Sequence, residues 1–133
     1  MKAEEIRTLL LQLLEDSGAE WTEAGGCLLF RLRQGGAIWD MACRCLDGRM
    51  LAYGRYPAAA ADRTQALERC NEINCRVVQG GMFLMEDGRA AFRTEADLPD
   101  PYDAAARLRE AIEYNAAVIT RFWRFLMPER PNL

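Results

Sequence analysis

Histidine is absent from the 133 residues, serine occurs once as Ser17, and lysine occurs once as Lys2, although the chain holds 17 basic side chains. Each absence removes a class of chemistry. Without imidazole there is no Ser-His or Cys-His pair to activate a nucleophile and no nitrogen ligand for a catalytic zinc. With its one lysine at the second position, the chain offers neither an interior Schiff-base amine nor the lysine of a phosphate-binding loop. No apolar stretch approaches the roughly 20 residues that a membrane-spanning helix needs. The early leucine run follows Glu4 and Glu5 and precedes no small-residue cleavage site, unlike a secretory signal. The expectation is a cytoplasmic protein without membrane contact. Five cysteines, an odd number, then read as reduced thiols rather than a disulfide framework.

What is present is a globular balance, 50% hydrophobic and 28% charged, in a length suited to one domain over residues 1–133. Ile6, Leu9, Leu10, Leu13 and Leu14 recur on one helical face, and Gly18 stands where a left-handed stop would fall, predicting a helix over about residues 2–16. EWTEAGG breaks that pattern. CLLFRLRQ then alternates as a half-buried strand, AIWDMACRC alternates as another, and Asp47-Gly48 turns into RMLAYGRY. The same grammar returns in MFLMEDGRAAFRT, with Asp87-Gly88 as its turn. Between the hairpins, helix formers without internal glycine or proline predict a helix over about 59–76. A last helix opens at Asp100-Pro101 and runs to about 126, ended by Pro128 and Pro131. The expected fold is α+β, an antiparallel sheet with helices packed on it, in the order α-β-β-β-α-β-β-α.

ERCNEINCRV looks at first like the edge of a metal or redox site. On a helix, however, Cys70 and Cys75 lie about 140° apart and cannot share a ligand sphere. Cys43 and Cys45, two apart on a strand, do face the same way and would suit a metal or redox sensor, although they share that face with Trp39 and Met41, as buried thiols do. Asn71 and Asn74 follow Leu67 at helical spacing beside the inward stripe, and their amides are expected to bond strand or loop backbone and pin the helix to the sheet.

The text ALERCNEINCRVVQGGMFLMEDGRAAFRTEADLP, followed by a long amphipathic helix, resembles the YbjN-like family, labelled bacterial sensory transduction regulators. Asn71 and Asn74, the Asp87-Gly88 turn, the Leu98-Pro99 break and the final helix carry the resemblance, over roughly residues 60–126. It implies a fold akin to type III secretion chaperones, homodimerisation, and a binding or regulatory module acting on another protein. It brings no catalytic residues and no cofactor. The cysteines and the scarcity of lysine stand outside the family pattern.

Two surfaces follow as candidate partner sites. The final helix buries a stripe that includes Asn115, read as a satisfied core amide, and near its end Trp123 and Phe125 flank Phe122, widening the apolar arc into a candidate interface. Arg31, Arg33 and Arg44 project from the polar side of the sheet, with Arg49 and Arg55 on the adjoining strand, where guanidinium groups could receive carboxylates or phosphates. Nucleic acid is not expected, because acidic residues are interspersed and the net charge is −3. The reading is a non-catalytic protein-binding module, chaperone-like or a regulatory adaptor. The alternative is a small-ligand, metal or redox sensor using Cys43 and Cys45.

Overall fold

The computed structural model describes residues 1–127. A helix over Ala3–Asp16 (α1) precedes four strands, Trp21–Ala24 (β1), Cys27–Gln34 (β2), Ala37–Leu46 (β3) and Arg49–Ala59 (β4). A helix over Arg63–Asn74 (α2), strands Gly81–Leu84 (β5) and Arg89–Asp97 (β6), a long helix Ala104–Arg121 (α3) and a single turn Trp123–Leu126 (α4) complete the order. Every strand pairing is antiparallel, and the sheet runs β1-β2-β3-β4-β6-β5. This is the expected α+β architecture with one further strand. All four side chains of β1 are exposed, so no alternation marks it in the sequence.

Both loops flanking β2 are glycine pairs with positive φ throughout, Gly25-Gly26 and Gly35-Gly36, the backbone that a two-residue type I′ turn requires. In the two Asp-Gly turns only the glycines take positive φ, so neither has the backbone of a type I′ turn. Asp47 instead turns its carboxylate onto the start of α1, accepting from the Ala3 N–H at 2.9 Å.

Helix boundaries shift for local reasons. Residues to Ala59 continue β4, so α2 begins only after Asp62, whose carboxylate accepts from the Gln65 N–H at 3.1 Å. Asp100 accepts from the Tyr102 N–H at 2.8 Å and shapes the approach to α3, while Asp103, at φ 53°, occupies the cap position. α3 ends at Arg121, short of the expected 126. The buried Tyr56 hydroxyl donates to the Ile119 C=O at 2.8 Å, occupying a carbonyl that the next helical turn would use, and the chain bends at Phe122. Pro128 and Pro131 lie outside the described residues.

The helices lie on one side of the sheet. Leu28, Phe30, Met41, Cys43 and Met50 meet α1 and the first half of α3, and Trp39, Tyr56, Met82 and Phe92 meet α2, α4 and the second half of α3. Asn115, fully buried, sits on α3 between these two clusters. Its Nδ2 donates toward the Phe92 C=O at 2.8 Å and the Ala52 C=O at 3.1 Å, tying the helix to two strands, while its Oδ1 has no partner among the described residues, so the amide is satisfied on its donor side alone. Thr94, 3.2 Å from the same nitrogen, returns its own hydroxyl to the Ala111 C=O at 2.9 Å. The helix approaches closely because β4 has Gly54 beneath it, where a Cβ would overlap Asn115 Oδ1 and come within 2.8 Å of Ile119 Cγ1.

Candidate functional site

Since Gly54 faces α3, alternation sends Tyr53 and Arg55 to the opposite side of the sheet, which no helix among the described residues covers. The register joins that side into cross-strand rows. One row runs Leu29, Ala42, Tyr53, Arg93, and the next runs Arg31, Asp40, Arg55, Ala91, Phe83. Arg44, Leu51 and Glu95 form a third row, and Arg33 pairs with Ile38 toward one end. Tyr53 and Phe83 meet edge to face with ring centroids 6.3 Å apart, and Ile38 and Phe83 are about two-fifths exposed.

The arginines predicted for this side are all there: Arg31, Arg33 and Arg44 are exposed on it. Arg49 and Arg55 of the adjoining strand lie on the same surface, and the structure adds Arg93. Its carboxylates are shared. Asp40 lies 3.9 Å from Arg31 and 3.8 Å from Arg55, and Glu95 lies 3.3 Å from Arg49 and 3.9 Å from Arg93. Arg33 and Arg44 have no acidic partner among the described residues, and the buried Arg55 Nε has no acceptor. Beside this face, where β5 stops at Gly81, a cleft of about 910 Å³ is lined by Tyr53, Gln79, Phe83, Arg93 and Glu95.

The C-terminal aromatics are placed otherwise than the apolar arc suggests. Because α3 breaks, Phe122 is buried, and Trp123 folds back against Tyr56 and Trp39, with centroids 5.4 and 6.1 Å away. Arg69 of α2 lies 5.1 Å over the Phe125 ring and donates to the Phe125 C=O at 2.7 Å. Phe122 thus belongs to the second core cluster, and Trp123 and Phe125, both partly buried, pack against it.

Asn74 pairs with both backbone groups of Met82, accepting from its N–H at 2.7 Å and donating to its C=O at 3.0 Å. The amide thereby mimics a neighbouring strand and caps the outer edge of β5. Asn71 is the exception to the expected pair. It is exposed and makes no side-chain hydrogen bond among the described residues, because α2 turns Ala66, Cys70 and Ile73 inward and leaves Leu67 half exposed.

Cys43 and Cys45 share the helix side of β3, as their spacing predicts. Burial pushes the Cys45 thiol up to about 11 and raises that of Cys43 further, so both stay protonated at neutral pH. A thiolate ligand or nucleophile is disfavoured there. Among the described residues no three His, Cys, Asp or Glu side chains converge as metal ligands.

No family model matches the chain, and no curated protein does. Among solved structures it is similar to the crystal structure of YbjN from E. coli, described as a candidate transcription regulator. The two superpose with a TM-score of 0.65 at 19% identity, over 90% of this chain and 93% of the other. At that identity the likeness concerns architecture, and on it the chain has the YbjN fold.

Proposed function

We propose that the protein is a regulatory module that works by binding another protein through the uncovered face of its sheet, without catalysis. One observation carries this reading: every helix packs on the same side of a six-stranded sheet, leaving the other side open with Ile38, Tyr53 and Phe83 among arginines. Ala42, Leu51 and Ala91 on that side are less than one-tenth exposed, shielded by neighbouring side chains with no helix above them. The Cys43 and Cys45 thiols are held in their unreactive form, which favours recognition over chemistry at that pair. The resemblance to secretion-chaperone-like regulators points the same way. Five unpaired cysteines fit a reducing, cytoplasmic setting, and no helix among the described residues is long and apolar enough to cross a membrane. A homodimer, which the resemblance also suggests, would use another surface, because each copy of this face carries more arginine than carboxylate and the two excesses would be brought together.

Photo-crosslinking in the producing cells tests this. A crosslinking residue at Ile38 or Tyr53 is expected to give one discrete protein adduct, and a residue at Glu68 or Glu113 on the helices none. Adducts from the helix positions alone would overturn the reading.

A further inference from the structure

We infer that the partner segment docking on this face is acidic, carrying carboxylates interspersed with apolar side chains. The inference rests on the open sheet face being the docking surface and adds the chemistry of its occupant. Charge complementarity carries it. Arg31, Arg33, Arg44, Arg49, Arg55 and Arg93 stand on one side of the sheet against Asp40, Glu95 and Asp97, a local excess of basic groups in a chain whose net charge is −3. Asp40 and Glu95 are each divided between two arginines at 3.3 to 3.9 Å, and with Asp97 opposite Arg49 the carboxylates of the face are still outnumbered, which leaves guanidinium N–H donors in excess. Arg33 and Arg44, near opposite ends of β2 and β3, have no carboxylate partner among the described residues. Arginine rather than lysine at every one of these positions favours planar, two-point contacts to carboxylates.

The apolar content narrows the class. Leu29, Ile38 and Phe83 share their cross-strand rows with arginines, so a segment that satisfies the charges also lays apolar side chains on this face. A nucleic acid fits less well. Its regularly spaced phosphates would meet Asp40 and Glu95 in the middle of the face, whereas a peptide can place its carboxylates to miss them. The Tyr53 and Phe83 rings, set edge to face, offer no parallel platform for successive bases. A second copy of the chain would bring a second excess of arginine to the contact and is disfavoured there.

The test is fluorescence anisotropy at low ionic strength with three labelled probes. They are a glutamate-rich peptide containing leucine and phenylalanine, the same peptide with lysine replacing glutamate, and oligothymidylate. The acidic peptide is expected to bind at least ~10-fold more tightly than its lysine counterpart and to weaken steeply with salt. The double variant Arg33→Glu/Arg44→Glu, at exposed positions that leave the fold intact by circular dichroism, is expected to lose about 10-fold or more in affinity. Arg109→Glu on α3 should change nothing. Equal binding of the two peptides, displacement of the acidic peptide by oligothymidylate, or indifference to the double variant would overturn the inference. A face that crosslinks a protein in cells yet ignores the acidic peptide overturns the charge assignment alone, while adducts from the helix side overturn the reading beneath it.

Discussion

Replacing Gly54 with alanine tests how α3 is seated on the sheet. In a strand interior glycine costs about 0.5–1 kcal/mol relative to alanine, so on backbone grounds the change should stabilise. The structure reverses that sign. The new Cβ would overlap Asn115 Oδ1 and approach Ile119 Cγ1 to 2.8 Å, and overpacking of this kind costs about 1–3 kcal/mol. Asn115→Ala alone removes two N–H bonds worth about 1 kcal/mol each and opens a small cavity, a loss of about 2–4 kcal/mol. With the amide gone, the overlap with Oδ1 is removed, and the space it leaves lets Ile119 give way to the methyl of Gly54→Ala. The double variant should therefore be more stable than the sum of the singles predicts, by about 1–3 kcal/mol. Urea unfolding followed by tryptophan fluorescence measures all four corners of this cycle. Additivity within about 0.5 kcal/mol would refute the interlock.

Tyr56→Phe leaves the buried Ile119 carbonyl without its donor and should destabilise by about 1–2 kcal/mol in the same assay; an unchanged midpoint would contradict the role given to this bond in ending α3. Asn74→Ala should speed amide exchange at Met82 and cost about 1–2 kcal/mol, and unaltered Met82 exchange would show that the cap is dispensable. The Cys45 thiol has a folded-state value near 11 against an ordinary 9, so its contribution to stability is complete below pH 9 and declines as pH rises toward 11. Urea midpoints should fall over that range, and fall less in Cys45→Ala, with Cys43 and Tyr56, both also raised by burial, supplying the remainder. A midpoint that rises with pH would contradict the sign.

Much of the fold was legible because one-sided patterns survive in the chain. The stripe from Ile6 to Leu14 marks α1, and the alternation of β2 and β3 places Arg31, Arg33 and Arg44 on the outer side. β1 left no such trace, since neither of its faces is buried. The inward stripe of α2 was displaced by one position because its buried residues, Ala66, Cys70 and Ile73, are mostly small and contrast weakly with their neighbours. The bend at Phe122 depends on Tyr56, which is remote in sequence, so no local signal announces it and the aromatics around it read as a free arc. Arg93, Tyr53 and Phe83 joined the candidate site only through the pairing of β6 with β4 and β5. The two Gly-Gly pairs around β2 are the signal that could have located β1, since each matches a type I′ turn.

The most direct measurement of the central claim is a map of backbone amide shifts in the isotope-labelled protein as the glutamate-rich peptide is added. The account predicts that the perturbed amides cluster in β2, β3, β4 and β6 around Arg33, Arg44, Tyr53 and Arg93, while the solvent-facing residues of α1, α2 and α3 stay in place. Shifts confined to the helices, with the strand amides unmoved, would contradict it.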